Sequence, residues 1–226
     1  MNKEINNNGY DYVDLDLPSG TLWAACNVGA DKPTDYGLYF QWGDTKGYTK
    51  EQIGEDKQFN WDDYKWYDAE DDDITKYASK GNVLELDDDA AHVNMGGDWH
   101  MPTSEQIQEL IDNTKREWIK YGDVKGMAFT SKKDTSKYIF IPAVGEVEDG
   151  FCYGSEQIGY IWSSEVSAYD FIYAKYFNFS LEDIYVGIGL RYYGFPVRGV
   201  IDKKQDVSKF NKEYEAMTDK NNSLKA

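Results

Sequence analysis

The chain has 226 residues, 41% of them hydrophobic and 16% aromatic, which supplies a sizeable core and argues against global disorder. Its 41 Asp and Glu against 24 Lys and Arg give a formal charge of −17, which excludes a basic nucleic-acid surface and disfavours an anionic membrane face. No stretch approaches the roughly 20 apolar residues of a bilayer span, and MNKEINNNGYDYVDL carries no apolar signal core.

Residues 1–9 are polar and Asn-rich, and read as a flexible or partner-bound arm. From Tyr10, YVDLDLPSGTLWAACNVGA alternates apolar and polar residues around PSG, the pattern of two short strands and a turn. Residues 44–80 are polar with scattered rings (Tyr48, Phe59, Trp61, Tyr64, Trp66, Tyr67, Tyr77) and read as a long, weakly regular loop held down by its own side chains. TSEQIQELIDN places Thr103 as an N-cap with Gln106 three residues on, a capping box, and Ile107, Leu110 and Ile111 on one helical face. GMAFTS and KYIFIPAVG, flanking KKDTS, predict two strands and a turn, and residues 158–200 continue as short strands punctuated by glycine. The body from 10 to 200 therefore predicts one α+β domain with many short antiparallel strands and one or two helices. Beyond it, residues 201–226 carry Val207, Phe210, Tyr214 and Met217 at spacings of three, four and three, an apolar stripe on a charged amphipathic helix. Two heptads are too short to stand alone, so this tail is expected to dock on its own domain or to drive oligomerisation.

Cys26 and Cys152 are too few for a disulfide scaffold or a Cys-rich metal site. They read as free thiols packed as small hydrophobes, with a single bridge as the alternative.

Several pieces recur in order: LPSGTLWAACNVGA with PTDYGLYFQWGD, GGDWHMPTSEQIQEL, IFIPAVG, GYIWSS, and AKYFNF followed by RYYGFPVRGV. This series resembles the major paralogous domain family first described in Fibrobacter and abundant in gut Bacteroidales and their phages. That resemblance covers Tyr10 to Val200 and implies a C-type-lectin-like fold, of the superfamily that includes formylglycine-generating enzymes, with its C-terminal strands displayed on a rigid scaffold. Some relatives are targets of diversity-generating retroelements, whose NNC-type codons cannot encode Lys, Glu, Gln, Met or Trp. Those five residue types fill 39 of the first 150 positions here, but only Lys175 and Glu182 occur among the 30 positions 166–195. The chain departs from the family pattern by continuing 26 residues past Val200. With no signal segment in view, that favours a virion component assembled from the cytoplasm over a bacterial cell-surface protein.

The same 30 positions hold six tyrosines, and Tyr173, Tyr176, Asn178, Tyr185, Tyr192 and Tyr193 are the candidate ligand-binding residues. Tyrosine offers large contact area at low rotamer cost together with a hydroxyl. Phe177 and Phe179 alternate with Tyr176 and Asn178, so the phenylalanines are expected to face the core and the others to face out. Trp99, Trp162, Arg191 and Arg198 read as structural scaffold, each arginine paired with a carboxylate. The acidic runs 70–73 and 87–89 match no calcium-loop spacing and read as solvated faces. His92 and His100 are the only histidines, with no nucleophile–base pair and no closely spaced Cys pair in view. No catalytic residue, metal or cofactor is therefore expected. The expectation is a non-enzymatic binding or assembly module, a phage head fibre or receptor-binding decoration. Its partners would be a host-surface protein or glycan, other virion proteins and further copies of itself, with no nucleic acid or membrane partner. A bacterial adhesin, a purely structural fibre component and, last, a carboxylate-pair hydrolase are the alternatives.

Overall fold

The computed structural model describes residues 4–203, so the apolar stripe Val207, Phe210, Tyr214 and Met217 lies outside the described residues. The chain opens with strands β1 (Glu4–Asn7), β2 (Tyr10–Asp14), β3 (Leu22–Ala24) and β4 (Tyr39–Phe40). A long excursion follows, with the hairpin β5 (Tyr67–Asp68) and β6 (Asp73–Ile74), then helices α1 (Ala90–Met95) and α2 (Ser104–Asn113). Strands β7 (Thr114–Tyr121), β8 (Val124–Ser131) and β9 (Tyr138–Pro142) form an antiparallel meander. Hairpin β10 (Glu146–Glu148) and β11 (Phe151–Tyr153) leads to β12 (Ile158–Val166), β13 (Tyr173–Ser180) and β14 (Ile184–Leu190), a second meander. Finally β15 (Phe195–Pro196) pairs with β4, and β16 (Val200–Ile201) pairs with β3. The architecture is α+β and strand-dominated, built from small antiparallel sheets.

Local chemistry accounts for these elements. The Thr103 hydroxyl accepts from the Gln106 N–H while the Gln106 side chain accepts from the Thr103 N–H, closing the capping box of α2. Ile107, Leu110 and Ile111 are its buried face. They meet Phe129, Ile139, Ile161, Phe177 and Phe179 in one apolar cluster, so α2 seals one side of the β12–β14 sheet. A second cluster gathers Trp42, Trp66, Trp99, Trp162 and Phe195 on the other side.

Two of the expectations, the N-terminal arm and the 87–89 run, need correction, and that for residues 44–80 is met. Residues 4–7 of the expected arm form β1 and pair with β2, because backbone pairing to a neighbouring strand needs no apolar pattern. Residues 44–80 form the weakly regular, ring-anchored loop expected, with two 3₁₀ turns (Lys50–Gln52 and Trp61–Asp63) and the short β5–β6 hairpin as its regular pieces. The Asp63 carboxylate accepts the N–H groups of Gln58, Phe59 and Asn60, and Phe59, Tyr64 and Trp66 are buried. The 87–89 run is not a solvated face, since Asp89 is buried. It accepts from the His92 and Met101 N–H groups, and Asp88 pairs with Lys65 and Lys76. Cys26 and Cys152 form no disulfide, and both are half-buried.

Candidate functional site

The β12–β14 sheet sets the geometry of the tyrosine-rich segment. Its register aligns Tyr160 with Asn178 and Asn178 with Tyr185; one step along, Trp162 faces Tyr176 and Tyr176 faces Gly187. Alternation puts these residues on one face of the sheet. A Cβ at Gly187 would stand 2.7 Å from the Tyr176 ring, and one at Gly189 would stand 2.9 Å from it. Bare backbone at these two positions is what lets that ring lie across β14.

The chain then returns over the same face through residues 191–195. Phe195 stacks on Tyr160 at 4.7 Å and 14° and meets Tyr176 edge-on at 5.2 Å. Tyr193 sits 6.0 Å from Phe195 and 4.9 Å from Tyr192, and Tyr192 in turn meets Trp61 at 4.8 Å. A continuous aromatic band thus runs from Trp61 through Tyr192, Tyr193 and Phe195 to Tyr160, Tyr176 and Tyr185. Two carboxylates border it, and the Tyr192 hydroxyl donates to Glu148 Oε1 at 3.0 Å.

Burial pushes the Tyr160 and Tyr176 phenols well above the ordinary tyrosine range, and the neighbouring Glu146 and phenols act in the same direction. Burial likewise raises Tyr192 and Tyr193, with Glu148 adding to both. The Glu146 carboxyl is raised by burial and then by Glu148. At neutral pH the band therefore presents protonated phenols beside acid groups, an arrangement for stacking and hydrogen bonding.

The six candidate binding residues separate in space. Tyr185 is 47% exposed, whereas Tyr176, Tyr173 and Tyr193 are half-buried and Asn178 and Tyr192 are buried. Tyr173 has the same strand parity as Phe177, so it lies on the opposite face from Tyr176 and does not join the band. Outward exposure of Asn178 and Tyr192 is thus corrected. Residues 191–195 and the 58–66 loop cover the face that simple alternation would leave to solvent. Phe177 and Phe179 are fully buried, so β13 is packed on both sides.

Trp99, Trp162, Arg191 and Arg198 are all fully buried. The partners of the arginines differ from expectation, for neither is paired with a carboxylate among the described residues. Arg198 donates to the carbonyls of Ala24, Ala25 and Phe140 and to Asn27 Oδ1. Arg191 donates to the Phe171 and Lys76 carbonyls and lies 4.4 Å over the Trp42 ring. Backbone carbonyls converging from distant strands and turns satisfy the guanidinium fork, and burial lowers both pKa values, that of Arg198 to about 10. These arginines tie β3, β9 and the 171–172 turn to the motif that follows β14.

Sequence reasoning missed Tyr160, Trp61, Glu146 and Glu148 as neighbours of the band. Tyr160 was recoverable, since it stands two residues before Trp162 on the same strand face. Trp61 was not, because it arrives from a loop some 130 positions away in sequence. His92 and His100 lie elsewhere, bonded to the Trp99 and Met101 carbonyls. Among the described residues no group of three or more His, Cys, Asp or Glu is placed to hold a metal ion. No described helix is long and apolar enough to cross a membrane. Comparison with protein-family models, curated proteins and solved structures returns no match for this chain.

Proposed function

We propose that the chain is a non-enzymatic binding and assembly module with a C-type-lectin-like fold, a phage virion component such as a head fibre or receptor-binding decoration. Its tyrosine band would contact a protein or glycan on the host cell surface. The observation that carries this reading is the band itself: phenol-bearing rings, partly open to solvent at Tyr185 and Tyr193, rest on a sheet whose other side is closed by α2. A rigid base lets surface rings vary without unfolding the domain, and aromatic anchors supply most of the contact energy in such interfaces. The pairing of β3 with β16, which brings the two ends of the domain together, and the ordered motif series support the fold assignment.

Flow cytometry of fluorescently labelled protein on a panel of Bacteroidales cells tests the reading. On strains that bind the native chain, Tyr185→Ala combined with Tyr193→Ala should reduce binding at least about tenfold, the loss of one modest hot spot. Undiminished binding by a folded double variant would remove the band from recognition. Detection of the protein in the cell envelope and not in purified virions would turn the reading to a bacterial adhesin.

A further inference from the structure

Beside the band, the 61–74 segment and the 170–172 turn enclose a cleft of about 390 Å³. Its walls carry two half-buried rings, Trp61 and Tyr67, which lie 5.1 Å apart at 35°, and three carboxylates, Asp72, Asp73 and Asp170. Ile74, Phe171 and Ile172 complete the lining. Each carboxylate commits one oxygen to its own loop. Asp72 accepts the Tyr67 hydroxyl at 2.7 Å, Asp73 accepts the Ile74 N–H at 2.7 Å, and Asp170 accepts the Ile172 N–H at 3.1 Å. Among the described residues, no Lys or Arg forms an ion pair with any of the three.

The remaining aromatic groups of this region make a useful contrast. Trp66 has Lys65 at 4.1 Å, Tyr77 has Lys76 at 4.9 Å, and Trp42 has Arg191 at 4.4 Å. Tyr48 has Lys46 at 4.9 Å. The protein thus repeatedly sets its own cations over its ring faces. Trp61 and Tyr67, which share their cleft with three carboxylates, hold no such cation among the described residues. Apart from the Trp61 indole N–H and the Tyr67 hydroxyl, whose hydrogen is given to Asp72, the polar side-chain groups of the cleft wall are carboxylate acceptors. A sugar hydroxyl both donates and accepts, whereas an ammonium or guanidinium only donates, so an acceptor-rich aromatic wall selects the cation.

We infer that this cleft binds an organic cation, the lysine or arginine side chain of a partner protein. Its alkyl stem would lie on Ile74 and Ile172, and its charged head against the rings and the free carboxylate oxygens. The cleft takes this ligand whether or not the neighbouring tyrosine band is a recognition surface, so the two assignments fail separately.

The test is an NMR titration of the full chain that follows the assigned Trp61 indole N–H. The probes are Nα-acetyl-lysine methylamide and Nα-acetyl-arginine methylamide, with Nα-acetyl-norleucine methylamide as the uncharged control and methyl glucoside as the neutral sugar. The cationic probes should shift the Trp61 signal saturably at millimolar concentration and the norleucine probe should not. Asp73→Asn with Asp170→Asn should weaken binding about tenfold at unchanged melting temperature. Should that pair unfold the protein, Asp170→Asn alone carries the same expectation in the same direction. Tyr185→Ala should leave the titration unchanged. Equal shifts with norleucine, saturable binding of the glucoside in place of the cations, no saturable shift at all, or folded Asn variants that bind as the native chain does would each overturn the assignment.

Discussion

On one face of β13, Phe177 and Phe179 are fully buried, with the Phe129 ring 5.7 and 6.2 Å away and α2 closing the layer above them. On the other face, Tyr176 is half-buried among Tyr160, Trp162 and Phe195, and its phenol points toward Tyr185 and the edge of the sheet. Both faces bury large rings, but the fully buried pair on the first are phenylalanines, whereas the second clusters rings with hydroxyls. A sealed layer has no partner for a polar tip, so phenylalanine fits it. An incompletely covered layer keeps water or a ligand within reach, so tyrosine can bury its ring and still satisfy its oxygen. The difference teaches that ring density alone does not mark a surface; the presence of a hydroxyl, together with what lies above it, does.

The strongest way to break this contrast is Phe177→Ala, which opens a cavity in the sealed layer. It should destabilise the protein by about 3–5 kcal/mol in urea unfolding, with the tyrosine face unaffected in sequence. A loss below about 1 kcal/mol would mean the layer is not tightly packed.

Gly187→Ala attacks the tyrosine face from its backbone. The new methyl would meet the Tyr176 ring at 2.7 Å, so the ring must move or β14 must shift. The expected cost is about 1–3 kcal/mol, with a change in near-UV circular dichroism that reports displaced tyrosines. An unaltered spectrum and stability would show that the ring does not depend on bare backbone there.

Alkaline pH sharpens the comparison without mutation, because the Phe177 and Phe179 rings have no ionisable group and Tyr160 and Tyr176 do. Burial raises Tyr160, Tyr176 and Tyr192 above the ordinary value of 10.0 in the folded state, so the unfolded chain ionises first. Their stabilising contribution is complete below pH 10 and is lost as pH rises above it. Each phenol contributes less than the glycine change, since its tip is partly solvated. Phenolate absorbance should therefore rise together with unfolding, and replacing Tyr160 and Tyr176 by Phe should flatten that alkaline decline. A decline unchanged in the double variant would place the titrating groups elsewhere.

Tyr185→Ala is the smallest perturbation. The ring is 47% exposed at the edge of the sheet, so stability should change by no more than about 0.5 kcal/mol. A larger loss would make Tyr185 part of the packed layer and shrink the open part of the band to Tyr193.

Local signals in the sequence were enough for α2, whose TSEQ capping box and apolar face are complete within ten residues. They were enough also for the β2–β3 and β8–β9 pairs, where alternation is bounded by turn residues. Strand β7 was not legible, because half of TKREWIKY is charged and it becomes a strand by pairing with β8 along its whole length. The inward side of Phe177 and Phe179 followed from period-two alternation, but the cover over Tyr192 and Asn178 did not. Alternation specifies which side chains share a face, and it carries no information about what a distant segment lays on top. Arg198 shows the same division. That a buried arginine needs acceptors is a matter of its chemistry, but the choice of the carbonyls of Ala24, Ala25 and Phe140 over any carboxylate was made by tertiary structure. Backbone acceptors exist at every residue, and only the folded chain determines which of them converge on one guanidinium.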